Sequence, residues 1–304
     1  MSGRAQHFLA WWQLLRAGNA FTAASNVIAG FLIVRGEWQP VGSLVALLAS
    51  SILLYESGMV LNDVFDAEID ATERPERPIP SGKIKKRNAM VVGFLLLACG
   101  VSCGLLASLL TGSMAPLIVA FSLALTIIAY DVTLKSTPLG PMAMGCCRCF
   151  NVLLGASVGV EYWWISGVCW VAAGVGFYTV GLTVLARNES RTEPLAKKSN
   201  KFSLWWMGIG LGMINGMDLG WTSEISEEAW WFIWVVLVLV VGYLLEAGAY
   251  MEPEVVRCRV KRLILFFIVI DAFVAAAAAG WISGLAVLAL LIPTIVASKW
   301  AAMT

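Results

Sequence analysis

Apolar residues fall in long unbroken runs along this chain, neither in alternation nor in narrow stripes. Ten runs stand out, at about 8–34, 41–62, 88–111, 114–130, 139–160, 163–186, 202–221, 229–250, 261–280 and 284–300. Each approaches the ~20 residues that let a helix cross a bilayer with all its backbone groups bonded internally. The pattern predicts an all-α, polytopic transmembrane bundle. The last two runs can also be one span plus a re-entrant piece, so nine or ten spans are expected. Charge then orders the topology. With the N-terminus in the cytoplasm, Arg4, the basic 67–87, 187–201 and 251–262 segments, Lys135 and Lys299 all fall inside, as the positive-inside rule requires. Outer segments carry Arg35 as their one cation, together with Glu37, Glu161, Asp218, Glu224, Glu227 and Glu228.

Composition agrees. Of 304 residues, 59% are hydrophobic and 13% charged, where a soluble domain averages about 25% charged. The net charge of +1 points to no nucleic-acid partner. A single histidine, His7, excludes a His-rich metal site and a His-based triad. The seven cysteines are read as small buried hydrophobes, Cys146-Cys147-x-Cys149 included. No cleavable signal peptide is expected, and no Walker A, dinucleotide-binding or zincin pattern occurs.

The densest polar chemistry lies at the end of the second run, from Met59 to Lys83. Asp63, Asp66 and Asp70 are spaced to share one helical face, with Asn62 beside them. Aligned carboxylates suit a hard divalent cation, and magnesium takes one or two of them and fills its shell with water and phosphate. Arg74 and Arg77, each followed by proline, suit phosphate oxygens. Further polar residues sit inside or just beyond apolar runs, where ionisable groups usually face a cavity or a partner. They are Arg16 and Asn19 in run one; Tyr130 and Lys135 at the end of run four; Arg148 and Asn151 in run five; and Thr183, Arg187, Asn188 and Glu189 at the exit of run six. Glu56 either extends the acidic stripe or pairs with Arg148. Asp271 is expected to pair with Arg262, close to Glu246.

The run Asn62-Asp63-x-x-Asp66-x-x-x-Asp70, then Arg74-Pro-x-Arg77-Pro-x-x-x-Gly82, resembles the UbiA superfamily of intramembrane prenyltransferases. Arg16-x-x-Asn19, Tyr130-x-x-x-x-Lys135 and the polar exit of run six occur where that family has its other features. Finer details around Lys135, Arg148 and Arg187 look more like the UbiA-like proteins of bacterial ebo operons. The resemblance implies a single domain over 1–304, with spans around a central cavity open to lipid. It also implies an integral protein of the bacterial inner membrane whose diphosphate site faces the cytoplasm. Asn62, Asp63, Asp66 and Asp70 would hold Mg2+ on an isoprenoid diphosphate, with Asp63, Asp66, Asp70 and Lys135 catalytic. Arg74, Arg77 and Lys135 would bind its phosphates. Arg16, Asn19, Tyr130, Arg148, Asn151, Thr183, Arg187 and Asn188 would line the substrate site. A prenyl group would pass to an aromatic or lipid acceptor. One departure stands out: where the family has a second Asp-rich motif, this chain has Thr183-Val-Leu-Ala-Arg187-Asn188-Glu189. Either only Glu189 remains for a second metal, or Arg187 supplies a cation's charge. That departure keeps a carrier of an isoprenoid-derived precursor as an alternative. A cation-coupled transporter using Glu56, Arg148 and Asp271 is a third reading.

Overall fold

A computed structural model describes residues 3–163, 167–187, 197–215, 242 and 253–302. All regular structure among them is helical. In chain order the helices are α1 (Gly3–Leu15), α2 (Ala20–Arg35), α3 (Val41–Phe65), α4 (Ala67–Glu73), α5 (Lys86–Thr111) and α6 (Ala115–Val132). They continue with α7 (Gly140–Ala156), α8 (Val168–Ala186), α9 (Lys197–Asn215), α10 (Pro253–Leu288) and α11 (Leu291–Ala302). Among the described residues, seven stretches are long and apolar enough to cross a membrane. Six match the first six runs. The seventh, Val256–Ala297, covers the last two runs as a single 42-residue stretch. It is broken where Ala279 and Gly280 leave helical geometry. The run at 202–221 is described only as far as Asn215, and the run at 229–250 lies outside the described residues.

Run one is two helices. Between them Arg16 takes a left-handed backbone conformation, φ 50°, which costs a non-glycine residue about 1 kcal/mol or more. The turn that follows, Ala17–Asn19, is a single turn of 3-10 helix. It offsets α1 from α2 and brings Arg16 to the end of α3.

Helix α2 is the centre of the bundle. From Ala20 to Val34 only Phe21 is not buried. It packs against α7, α10 and α3. Close approach to α7 depends on two glycines: a methyl group at Gly30 would run into the Val152 carbonyl oxygen, and one at Gly155 into the Val27 carbonyl oxygen. Small residues at such contacts are how membrane helices gain packing where hydrophobicity gives no preference for protein over lipid. Helices α3 and α5 use the same device with hydroxyls added. Ser50 and Ser57, one heptad apart, donate to the carbonyls of Gly100 and Gly93 at 2.7 and 2.8 Å. At the other end of α3, Ala10 and Leu14 of α1 and Ile79 and Ile84 of the loop after α4 cover Val60 and Val64. The Asp63–Arg77 segment is thereby tied to the bundle at both ends.

None of the seven cysteines is buried, which corrects the expectation. Cys99 of α5 and Cys146 of α7 lie on exposed faces. In a span, such a face meets lipid, and an apolar environment suits a thiol there as well as in a core.

Gly155→Val should lower the thermal midpoint in detergent sharply, because overpacking a tight contact costs about 1–3 kcal/mol. Ser57→Ala should cost nearer ~0.6 kcal/mol, the average for an interhelical hydrogen bond in a membrane. Equal stability of the two variants would show that the α2–α7 contact is not the tight one.

Candidate functional site

A cavity of about 550 Å³ opens between α2, α3, α6, α7, α8 and α10, within the usual range for small-molecule sites. Leu123, Ile127, Leu182, Ile264 and Phe267 give it apolar walls. Of the residues expected from sequence, Arg16, Asn19, Asn62, Tyr130, Arg148, Asn151 and Thr183 line it.

The three aspartates follow the lining residue Asn62 in the chain, do not themselves line the cavity, and are each engaged with a cation. Helix α3 stops at Phe65, and Asp66 is the joint from which the short α4 continues. The three therefore lie on two nearly continuous helices and not on one. Asp63 and Asp70 are buried. Asp63 Oδ1 is 3.0 Å from Arg16 Nη2 and 3.4 Å from Arg77 Nη1. The same Arg77 nitrogen lies 2.6 Å from Asp70 Oδ2. Lys135 Nζ meets Asp66 Oδ1 at 2.6 Å. Arg74 is half-buried and belongs to none of these pairs.

The donor set fits magnesium. Asn62, Asp63, Asp66 and Asp70 can offer oxygen, which that ion requires. Asp63 and Asp70 already share one positive centre between them, at Arg77 Nη1. No three His, Cys, Asp or Glu side chains among the described residues are grouped closely enough to hold a metal by themselves. An ion here would draw on phosphate and water for the rest of its shell, in keeping with magnesium's habit.

At the end of α8, Arg187 Nη2 donates to the Lys135 carbonyl oxygen. Its guanidinium fills the space over Gly140, where a side chain would collide with it. Arg187 thus fastens α8 to the α6–α7 turn and fixes the segment carrying Lys135. Thr183 donates to the Thr179 carbonyl of its own helix at 2.8 Å. Asn188 and Glu189 lie outside the described residues.

Deeper in the bundle, the expected partners change. Arg148 does not meet Glu56. Its Nη1 donates to Asn26 Oδ1 and its Nη2 to Thr22 Oγ1, both at 3.0 Å. Glu56 is buried, with Oε2 unbonded among the described residues. It lies on a different side of α3 from Tyr55, Met59 and Asn62, which face the cavity. Among the described residues, Asp271 forms no ion pair with an arginine. It accepts from Ser25 Oγ at 2.5 Å and from Asn26 Nδ2 at 3.0 and 2.8 Å. Asn151 bridges helices, accepting from Ser51 at 2.7 Å and donating to the Ala23 carbonyl at 2.8 Å.

Several residues in or beside the cavity escaped the sequence reading. Thr22 and Asn26 follow Asn19 at helical spacing, the same signal that marked the aspartates; they do not line the cavity themselves but bond Arg148, which does. Asp131 is buried against Asn62 Nδ2 at 3.0 Å, and its other oxygen is unbonded among the described residues. Arg257 and Lys261, one turn apart on α10, also line the cavity; they look like ordinary inside-rule charges in sequence.

Comparison with known proteins places this geometry. The family model of the UbiA prenyltransferase family matches residues 23–270. The digeranylgeranylglyceryl phosphate synthase of Methanosarcina barkeri is 34% identical over 166 residues, covering 49% of this chain and 55% of that protein. The one from Ignicoccus hospitalis is 34% identical over 154 residues, covering 50% and 48%. The chain thus spans about half the length of the curated relatives it matches. Among solved structures, a UbiA homologue from Archaeoglobus fulgidus bound to GPP and Mg2+ has the same fold. Its TM-score is 0.55 at 13% identity, over 92% of this chain and 99% of that one. A family match over most of the chain and the shared helical fold agree: this integral membrane protein belongs to the UbiA prenyltransferase family.

Proposed function

We propose that the chain moves an isoprenoid group from an allylic prenyl diphosphate to a hydrophobic acceptor, with magnesium, at the aspartates beside the cavity. One observation carries this reading. Three carboxylates, each paired with a cationic side chain, lie next to Arg16 and Asn62, which line a cavity whose exposed wall is largely apolar. The family, and the ligands of the Archaeoglobus fulgidus homologue, support the donor class. The site faces the cytoplasm on this reading, as the distribution of Lys and Arg supports. The ebo-like sequence details support a bacterial inner membrane.

The chemistry follows from the pairs. Diphosphate oxygens compete with the carboxylates for Arg77, Arg16 and Lys135, as charge-assisted bonds to phosphate allow. Asp63, Asp66 and Asp70, so released, would with Asn62 hold magnesium, which when bound offsets the charge of the departing diphosphate. The allylic C–O bond breaks and both electrons leave with the diphosphate. Arg77 and Lys135 stabilise that group electrostatically. The apolar walls keep water from the carbocation. A nucleophilic atom of the acceptor bonds to the allylic carbon and yields one proton to solvent.

Asp66→Asn should cut magnesium-dependent release of inorganic diphosphate from an allylic prenyl diphosphate by about 10²-fold or more, the scale on which electrostatic catalytic groups act. Full activity in that variant would overturn the assignment. Donor binding without release in the wild type, with membrane extract present as acceptor source, would favour the carrier reading. Arg77→Gln should weaken donor binding roughly tenfold or more, as loss of a charged hydrogen bond of about 1.5–3 kcal/mol implies; unchanged donor affinity would remove Arg77 from the phosphate site. For orientation, a single cysteine at Ser81 in a cysteine-free background should react with an impermeant thiol reagent from the cytoplasmic face only.

A further inference from the structure

Two side-chain contacts join the end of α3 to the end of α6. Asn62 Nδ2 donates to Asp131 Oδ1 at 3.0 Å. Asp66 Oδ1 meets Lys135 Nζ at 2.6 Å. Asn62 and Asp66 are four residues apart, and so are Asp131, in the last turn of α6, and Lys135, in the 3-10 turn that follows it. The contacts are thus neighbouring rungs between the same two elements. They differ in charge. The Asp66 rung joins an anion to a cation, whereas the Asn62 rung joins an anion to a neutral amide. None of the ion pairs among the described residues includes Asp131. Its Oδ2 has no hydrogen-bond partner among them. Yet the residue is only 2% exposed. Among the described residues that line the cavity, Asp131 is the one carboxylate.

A carboxylate withdrawn from water is costly unless a cation or donors meet it. Holding the Asn62 amide does not by itself call for an acid, because a neutral carbonyl accepts from an N–H equally well. The unmet oxygen and the unmatched charge together mark a place for a cation that the surrounding side chains do not supply. Carboxylate and amide oxygens suit magnesium and manganese. On α8, Thr183 and Arg187 are committed elsewhere, to the carbonyls of Thr179 and Lys135. The acid that faces the cavity therefore comes from α6. Asp131 is not grouped with any two of the aspartates closely enough for all three to hold one ion, so an ion at Asp131 is distinct from one shared by Asp63, Asp66 and Asp70.

We propose that Asp131 is a ligand of a separate divalent cation, magnesium, held next to Asn62 on the cavity side of the three paired aspartates. The inference rests on the proposed function for the diphosphate whose oxygens, with water, complete the ion's shell; the ligand itself stands on the Asp131 geometry. With Asp66 held by Lys135 on the neighbouring rung, α6 presents a cation and an anion four residues apart. The cation meets phosphate oxygens directly, and the anion meets them through the metal.

The test counts manganese bound by the full chain in a non-ionic detergent, by equilibrium dialysis, with the unreactive donor analogue geranyl thiolodiphosphate present. The wild type should hold about two ions per chain and Asp131→Asn about one, since the amide keeps an oxygen for Asn62 but loses the charge that a hard cation needs. An equal thermal midpoint of the two proteins without metal shows that the variant is folded. An unchanged count in Asp131→Asn overturns the proposal, and so does a wild-type count of one, whichever variant loses it. Asp66→Asn runs beside it. Manganese that depends on Asp66 and not on Asp131 removes this site alone, whereas no manganese in the wild type removes the magnesium part of the proposed function as well. Direct ligation is separated from mere support of Asn62 by Asp131→Cys in a cysteine-free background. Bound Co2+ should then show sulfur-to-cobalt charge-transfer absorption, and Co2+ bound without that band makes Asp131 a positioning residue and overturns its role as a ligand.

Discussion

A helix surrounded by other helices inside a membrane has no water to satisfy its polar groups, and α2 works under that constraint along its whole length. Its C-terminal half solves it by proximity: Gly30 and Gly155 let α2 and α7 approach until backbone meets backbone. Its N-terminal half solves it with side chains. Thr22, Ser25 and Asn26 face Arg148 and Asp271, and Asn151 reaches back to the Ala23 carbonyl. Contact at one half and polar bridging at the other leave room for the cavity toward the end where Arg16 and Asn62 lie. The cavity is thus a by-product of how one buried helix is packed.

The segment that carries the aspartates is fixed from outside the cavity. Ser50 and Ser57 lock α3 to α5, and α1 and the Ile79–Ile84 loop press on Val60 and Val64. The Asp63–Arg77 segment therefore has both anchors held, and its aspartates are paired with Arg16, Arg77 and Lys135. Arg187 serves the opposite wall similarly by tethering the Lys135 segment.

Much of this was legible in the sequence because lipid imposes a coarse and strict pattern. A span must be an apolar run of fixed length, so the first six runs match the helices. Asp63, Asp66 and Asp70 were legible because a helix repeats its face every three or four residues. Partner identity was not. Asp271 meets Asn26 from 245 residues away, and no local spacing encodes that. Glu56 and Arg148 looked complementary in sequence, yet they point to different sides of their helices. The break at Arg16 was hidden for another reason: an apolar run reads the same whether or not one residue inside it turns left-handed. Sequence periodicity reports which face a residue occupies and is silent on which neighbour covers that face.

Arg16, Arg77 and Lys135 stand against Asp63, Asp66 and Asp70, so the resting site is close to electrically balanced within itself. It behaves like an ion-exchange resin already loaded with its own counter-ions. An entering molecule gains little by being negative, since the cations it seeks are already occupied. It must instead displace two carboxylates and leave a new cation for them. A diphosphate accompanied by a divalent metal satisfies both demands in one exchange. A bare anion meets only the first, so selectivity against the many phosphates and carboxylates of a cell is built into the resting pairs before any substrate shape is tested.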